Sequence, residues 1–212
     1  MQKKQIYIAD SNHGTILLSD FEKEVISTKL FNRLHHISQN STAYLTFPSN
    51  RTKRFEHSIG TMKMCGDLFY SAMCNSDEDI VKNMLEDIKD IIINKIIENN
   101  ILKEPDKYRR LLHNQSLKNS DEKLKDFDKY SFDNIFYNRY IPQNIDDKYK
   151  LLYIIMFQSI RLCALLHDIG HPPFSHVTES SINSIYNSLK EEDVSELTPR
   201  KKEFLDIIGD YD

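Results

Sequence analysis

Apolar residues recur at helical spacing along most of the chain, and strand-like alternation is confined to its beginning. Residues 5–18 form two β-branched runs around a polar turn with Asn12 and Gly14, which predicts a β-hairpin. Beyond the hairpin, the apolar spacing predicts helices from Asp20 to about Leu34, from Arg51 to about Met73, from about Ile80 to Ile96, over 148–168, from His176 to about Leu189, and from Pro199 onward. The pattern therefore predicts an all-α or mostly α protein with one short hairpin.

Residues with strong backbone preferences suggest where these helices begin and end. Ser19 or Asp20 can cap the first helix. Gly170, expected in the left-handed conformation, and the pair Pro172-Pro173 should end the helix at 148–168. Ser175 can then cap the helix that begins near His176, so the sequence predicts a sharp turn between these two helices.

The middle of the chain differs in character from its two ends. Helix 148–168 is apolar on most faces, which indicates a central buried helix, and the run 151–166 is expected to be too short to span a bilayer. The stretch from about 99 to 150 is rich in Lys, Asp and Asn, with scattered aromatic residues. We therefore expect residues 1–74 and 148–212 to form one domain and residues 75–147 to form a helical insertion, as an oligomer contact or a lid.

Composition and charge narrow the classes of function. The 212 residues include 40% hydrophobic residues, and the formal net charge is −4, so neither a nucleic-acid coat nor a membrane-surface patch is indicated. In the predicted insertion, acidic residues match the basic ones, which disfavours nucleic-acid binding. The three cysteines form no C-x-x-C pair, and no apolar signal core follows Met1-Gln2-Lys3-Lys4, so we expect a cytoplasmic protein.

The densest chemistry lies around the predicted helix stop. His167 and Asp168 are adjacent at the end of an apolar run, where a charge is costly unless it is paired or bound to metal. An imidazole and a carboxylate suit Mn, Fe, Ni, Zn or Mg, and His57 is the best candidate for a third ligand. The cations at 51–54, just before His57, are interpreted either as a solvated loop or as a phosphate clamp.

Two motifs together carry a resemblance to a known family. Arg54-Phe55-Glu56-His57-Ser58 and the stretch from Leu166 to His176 (LHDIGHPPFSH) resemble the HD-domain phosphohydrolases, and among them the dNTP triphosphohydrolase branch of SAM-and-HD-domain and dGTP triphosphohydrolase types. The likeness extends to Asp10–Gly14 and Phe31–Leu34. It covers residues 5–75 and 150–180 and does not include the predicted insertion.

The resemblance implies a helical HD fold, a metal centre and a reaction. His57, His167 and Asp168 match three of the family's four ligands for a divalent metal ion. The fourth is a later aspartate, for which Asp206, Asp210, Asp212 and a position beyond the chain end remain open. Family enzymes hydrolyse a dNTP at the α-phosphate, releasing a deoxynucleoside and inorganic triphosphate, and homo-oligomers are common among them.

The resemblance also assigns roles outside the metal centre. His176 and Glu179 match a catalytic His-x-x-acid pair, and His171 matches a histidine that contacts the phosphates or the attacking water. Arg54 matches a phosphate-contacting arginine. Gln39 falls in the loop that contacts the deoxyribose 3′-hydroxyl, although Asn40-Ser41-Thr42 replaces the Gly-rich sequence usual there.

The chain departs from the family pattern in one further respect, because no histidine follows His176. The family's His-Glu step is therefore missing, and we expect an N-terminal fragment or a shortened relative. Two alternatives remain open. One alternative to a dNTP triphosphohydrolase is an HD phosphohydrolase acting on another nucleotide, such as a monophosphate or a signalling nucleotide. The other is a truncated HD module that binds nucleotide without turnover.

Overall fold

The computed structural model of the chain describes residues 6–98, 135–174, 176–192 and 197–209. These residues are mostly helical with a short two-stranded sheet, which confirms the predicted fold class. They fall into two compact units. The first unit comprises Met1–Asn32 and Glu56–Ile169, and the second comprises Arg33–Phe55 and Gly170–Asp212.

The N-terminal hairpin pairs β1 (Ile6–Asp10) with β2 (Gly14–Leu18) in antiparallel register. In the turn, the Asp10 carboxylate accepts hydrogen bonds from the backbone N–H groups of Asn12 and His13, at 2.9 and 2.7 Å. Gly14 has φ +69°, a conformation that a residue without Cβ adopts at little cost. These features explain why the polar turn closes where the sequence predicts it.

The helices follow in chain order. Their bounds are α1 (Asp20–Ile26), α2 (Lys29–Asn32), α3 (Arg54–Asn75), α4 (Glu78–Glu98), α5 (Ile135–Tyr140), α6 (Lys150–Leu166), α7 (His176–Lys190) and α8 (Pro199–Gly209). The Ser19 side chain caps α1 and forms a capping box with Glu22. Pro199 is the first residue of α8, where its fixed φ suits a helix start. The cap proposed at Ser19 and the helix start predicted at Pro199 are confirmed, whereas Ser175 lies outside the described residues.

The single helix predicted from Asp20 to about Leu34 is wrong. Ser27 Oγ donates to a carbonyl one turn earlier, at 2.7 Å. Thr28 Oγ1 donates to Val25 O at 2.8 Å and accepts from the Phe31 backbone N–H at 3.2 Å. These two side chains compete for backbone groups, so α1 ends at Ile26 and the shorter α2 begins at Lys29.

Helix α6 is central to the core of the first unit. Leu152, Tyr153, Ile154 and Phe157 are at most 1% exposed. Around them pack buried residues of α4, α5 and their neighbours, among them Val81, Leu85, Phe136, Tyr137, Ile145 and Tyr149. Parts of the predicted insertion, 75–98 and 135–147, thus contribute to this core. Residues 99–134 lie outside the described residues, and the division into a split domain and an insertion stays a prediction.

The apolar run 151–166 lies within a longer helical segment. A 3₁₀ turn at Asp147–Tyr149 precedes α6, so the continuous helical segment Asp147–Leu166 has 20 residues, and an 18-residue window within it has a mean hydropathy of 1.5. By length and composition it could cross a membrane. More than half of that window is buried in the unit, together with the charged Arg161, as in the core helix of a folded protein.

A buried ion pair joins α6 to the start of the chain. Arg161 Nε and Nη2 donate to the two carboxylate oxygens of Glu22 at 2.7 and 2.9 Å, and both side chains are fully buried. Nη2 also donates to Leu17 O, and Gln158 Nε2 donates to Glu22 Oε1, each at 2.9 Å. Burial opposes the charge of Arg161, but the hydrogen bonds and charge of Glu22 outweigh it and raise the pKa of Arg161.

The hairpin turn approaches α3 closely. A Cβ atom built on Gly60 would overlap the imidazole of His13, so the backbone of α3 lies directly against this ring. Gly60 is three residues after His57, about one helical turn further along α3. Glycine at this position therefore allows the hairpin to pack beside the part of α3 that carries His57.

Candidate metal centre and histidine–glutamate cluster

Three side chains predicted as metal ligands converge in the first unit. His57 lies in the first turn of α3, His167 is the residue that follows α6, and Asp168 comes next. The two histidine Nε2 atoms are 3.2 Å apart. Asp168 Oδ2 is 3.6 Å from His57 Nε2, and Oδ1 is 3.4 Å from His167 Nε2. Their ligand atoms all lie within 4.8 Å of one another, although His57 and His167 are 110 residues apart in sequence.

These distances fit one shared ion. Nitrogen and oxygen ligands bind divalent transition metals at about 2.0–2.2 Å, so neighbouring ligands at tetrahedral or octahedral angles lie about 2.8–3.6 Å apart. The three atom pairs fall between 3.2 and 3.6 Å, with the two histidines facing different oxygens of the Asp168 carboxylate. Two imidazoles and one carboxylate are also a donor set that Mn, Fe, Ni and Zn accept.

A hydrogen bond sets the tautomer of His167. Its Nδ1 lies 2.6 Å from the carbonyl oxygen of Ala164. Because a carbonyl can only accept, Nδ1 carries the proton, and in the neutral ring Nε2 presents its lone pair. A backbone carbonyl on the far nitrogen is the usual way in which a ligating histidine is oriented, so His167 is already in the form that binds metal.

His57, His167 and Asp168 are called the metal group. In the turn that follows it, the residue with the left-handed conformation is not the predicted one. Gly170 was expected to adopt that conformation, but among the described glycines only Gly14 has positive φ. Helix α6 instead ends at Leu166, whose carbonyl accepts from the Ile169 N–H at 3.0 Å. The left-handed residue is Phe174, with φ +65°. The left-handed conformation therefore follows Pro172-Pro173 rather than preceding them.

A second group of predicted site residues lies in the second unit. Glu179, in the first turn of α7, is bound by two imidazoles. His171 Nδ1 is 2.5 Å from Oε1, and His176 Nδ1 is 2.8 Å from Oε2. The two rings are perpendicular, with centroids 5.3 Å apart. We call these three residues the histidine–glutamate cluster.

The cluster has a defined proton arrangement. An ionised carboxylate only accepts hydrogen bonds, so both Nδ1 atoms donate and each neutral ring keeps its Nε2 lone pair. The hydrogen bond from His176, and with it the one from His171, holds the pKa of Glu179 below its usual value. His176 is largely exposed, so its ring is accessible to a ligand in solution. This arrangement can accept or release a proton at Nε2.

One residue of this region was missed by the sequence reasoning. Arg33 Nη1 donates to the backbone carbonyl of His171 at 3.1 Å, across 138 residues of sequence. This bond holds the backbone of the turn that carries His171. The matching segment Phe31–Leu34 was the only signal that could have indicated it, and a resemblance alone does not say which carbonyl an arginine binds.

The two predicted substrate contacts lie on a short antiparallel pairing in the second unit. The Gln39 N–H donates to Thr52 O and the Arg54 N–H to Ile37 O, each at 2.9 Å. Arg54 is 4% exposed and Gln39 is half-buried, whereas Arg51 is exposed. A solvated loop therefore describes Arg51 but not Arg54, whose charge is enclosed by the protein.

The candidates for a fourth metal ligand are in the last part of the chain. Asp206 is an exposed residue of α8 in the second unit. Asp210 and Asp212 lie outside the described residues. Within the described part of the chain, the group that could hold an ion consists of His57, His167 and Asp168.

Comparisons with known proteins show similarity over parts of the chain. No protein-family model matches it. It is 39% identical over 83 residues to an uncharacterised protein of Methanocaldococcus jannaschii, covering 38% of this chain and 18% of that protein. It is 44% identical over 59 residues to the deoxynucleoside triphosphate triphosphohydrolase SAMHD1 of Danio rerio, covering 28% and 10% of the respective chains.

A longer but weaker match involves a viral protein. The chain is 26% identical over 165 residues to a putative HD domain-containing protein of Acanthamoeba polyphaga mimivirus, covering 78% of this chain and 23% of that one. The chain thus spans less than a quarter of the length of these relatives. Taken together, the matches are partial homology that supports the HD superfamily.

Proposed function

We propose that this chain is a metal-dependent phosphohydrolase of the HD type and that its substrate is a deoxynucleoside triphosphate. The observation that supports the proposal most is the convergence of His57, His167 and Asp168 at distances that suit one ion. The match to a protein named as a deoxynucleoside triphosphate triphosphohydrolase supports the substrate.

The proposed reaction is hydrolysis at the α-phosphate. Water adds to the α-phosphorus, the P–O5′ bond breaks, and the products are a deoxynucleoside and inorganic triphosphate. A divalent ion held by His57, His167 and Asp168 would polarise phosphate oxygens and lower the pKa of water. A later aspartate completes the ligand set in this proposal, with Asp206, Asp210, Asp212 and residues beyond the chain end as candidates.

The histidine–glutamate cluster is assigned to proton transfer and phosphate contact. The leaving O5′ must gain a proton, and His176 can supply one from Nε2 while Glu179 stabilises the charged ring through Nδ1. His171, held by the same carboxylate, is assigned to the phosphates or to the attacking water. The resemblance assigns the cluster and the metal group to the same reaction.

Two further residues are assigned to substrate binding. Arg54 is a buried cation, and a phosphate group is a suitable counter-charge for a guanidinium. Gln39, on the other segment of the short pairing, is assigned to the deoxyribose. A homo-oligomer and a cytoplasmic location complete the proposal; the free thiols of Cys65, Cys74 and Cys163 suit a reducing compartment.

One experiment tests both the metal group and the reaction. The chain is loaded with Mn²⁺ or Mg²⁺, metal binding is measured by calorimetry, and triphosphate release from dGTP and the other dNTPs is followed by ion chromatography. We expect release that is lost in His167→Ala and Asp168→Ala together with metal binding. His36→Ala is the matched control, because His36 is an exposed histidine outside both clusters.

The same experiment separates the alternatives. Nucleoside formation only from monophosphates, or cleavage only of a signalling nucleotide, would replace the dNTP assignment by another nucleotide. Metal and nucleotide binding without turnover would indicate a non-catalytic HD module. Unchanged metal binding in both alanine variants would reject the metal centre itself.

A further inference from the structure

Phe174 has a backbone conformation that its side chain does not favour. Of the described non-glycine residues, only Phe174 and Ser41 have positive φ, at +65° and +50°. A bulky residue in this region is an outlier, because Cβ crowds the neighbouring carbonyl, whereas glycine adopts it without strain. The fold would therefore accept glycine at 174 more easily than phenylalanine.

The strain at Phe174 is not offset by burial of its ring. The residue is 53% exposed, so much of its apolar surface faces solvent. Its backbone is nevertheless fixed. The carbonyl of Phe174 accepts the Val177 N–H at 3.2 Å, and the Thr178 hydroxyl donates to the carbonyl of Pro173. Packing within the described fold thus explains the turn but not the choice of an aromatic residue.

The sequence position of Phe174 gives its ring a chemical context. It follows His171 by three residues and precedes His176 by two, and both of these histidines bind Glu179. Residues held in strained conformations concentrate at sites of binding and catalysis. An exposed aromatic ring can stack on a nucleobase or on the apolar face of a sugar. Charged groups that bind phosphate do not make such stacking contacts.

We propose that Phe174 is a substrate-binding residue that stacks on the base or the deoxyribose of the nucleotide. This proposal rests on the proposed function, since it takes a nucleotide as the ligand of the histidine–glutamate cluster. It assigns the phosphates to the histidines and Arg54 and the nucleoside part to Phe174. In this proposal the strained conformation of Phe174 is retained because its ring contacts the nucleotide instead of packing inside the protein.

Two probes and three variants test the proposal. The full chain, loaded with Mn²⁺, is titrated with a non-hydrolysable dNTP analogue and separately with inorganic tripolyphosphate, which lacks a nucleoside. Phe174→Gly removes the ring and suits the backbone, so the variant should fold, with a melting temperature without ligand equal to that of the wild type or higher by about 2–4 °C. Phe174→Tyr keeps the ring. Tyr7→Ala removes an exposed aromatic ring from the hairpin as a matched control.

We expect Phe174→Gly to bind the analogue roughly tenfold more weakly while its affinity for tripolyphosphate stays the same. Phe174→Tyr and Tyr7→Ala should bind both probes like the wild type. Equal affinity of Phe174→Gly and wild type for the analogue would overturn this proposal without affecting the proposed function. An equal loss of affinity for both probes, or a change in the oligomeric state of Phe174→Gly, would also overturn it. If the wild type binds neither probe, the proposed function fails first.

Discussion

The first unit contains two groups of charged and polar side chains that differ in how their bonding capacity is used. Both oxygens of Glu22 accept from Arg161, a further bond comes from Gln158, and the ion pair is fully buried. In the metal group, His57 and His167 direct their Nε2 atoms toward each other and toward Asp168, and both rings are more than a third exposed. In the ion pair, protein donors hydrogen-bond both carboxylate oxygens. The metal group instead brings together atoms that can each donate an electron pair to a metal ion.

This difference separates a structural charge from a functional one. A buried carboxylate with donors on both oxygens has nothing left to offer a ligand, and its removal leaves a buried cation without compensation. Converging lone pairs repel one another unless a proton or a metal ion lies among them. Mutation of the ion pair should therefore destabilise the fold with or without metal. The metal group should stabilise the fold mainly when a metal ion is bound.

Breaking the buried ion pair should produce the largest effect. Glu22→Leu leaves Arg161 buried without its counter-charge, and we expect the free energy of unfolding to fall by about 3–5 kcal/mol in urea titration. Glu22→Leu combined with Arg161→Met should recover much of this loss. Lys63→Ala, which breaks a partly exposed ion pair with Asp67, should cost less than about 1 kcal/mol. A loss of this small size for Glu22→Leu would contradict the comparison.

Added metal should raise the free energy of unfolding through the metal group. At a free Mn²⁺ concentration of 100 times its dissociation constant, we expect the free energy of unfolding of the wild type to rise by about 2.7 kcal/mol. Removal of the ion with a chelator should reverse the gain. Asp168→Ala should lose the gain and yet unfold much like the wild type in chelator. A variant that is equally destabilised with and without metal would indicate that Asp168 is mainly structural.

The position of the metal group can be tested without changing its ligands. In Gly60→Ala the new Cβ meets His13, and we expect a loss of about 1–2 kcal/mol after allowing for the higher helix propensity of alanine. Metal affinity should fall as well, since His57 is one turn away on the same helix. His13→Ala in the Gly60→Ala background should restore stability because it removes the overlap. Failure of this double variant to recover would show that the overlap is not the cause.

The smallest effect should come from the histidine–glutamate cluster, which is exposed. Its hydrogen bonds lower the pKa of Glu179, so the charged form stabilises the folded state above the ordinary glutamate pKa of about 4.3. That contribution is lost as the pH falls through the lower folded-state pKa. The difference in unfolding free energy between wild type and Glu179→Gln should therefore shrink as the pH falls below about 5 toward the lowered folded-state pKa of Glu179. A difference that grows on acidification would contradict the assigned direction.

Features set by near neighbours in sequence could be predicted. The Ser19 cap, the hairpin turn at Asn12 and Gly14, and the helix start at Pro199 depend on backbone preferences within a few residues. The break after α1 also depends on local bonds, but Thr28 and its neighbour Ser27 fit a helix pattern as well as a cap, and the apolar spacing concealed it. Such residues are ambiguous until their hydrogen-bond partners are known.

Features that join distant segments were predicted only where a motif linked them. The paired motifs indicated that His57 would meet His167, and the structure brings them together. An arginine in an apolar helix indicates that Arg161 needs a partner, but the chain has 32 acidic residues and nothing in the sequence selects Glu22. The exchange of Gly170 for Phe174 as the left-handed residue was equally hidden, because it contradicts the usual preference of the backbone.

The ion pair between α1 and α6 has a consequence for synthesis of the chain. Glu22 and Arg161 are 139 residues apart, so the carboxylate leaves the ribosome long before its partner exists. At about 5–20 residues per second, the delay is roughly 7–28 s. During that interval the hairpin and α1 lack the helix that buries them. The N-terminal segment is therefore exposed to chaperones and proteases until α6 emerges, and slower translation of the intervening segment would lengthen this vulnerable period.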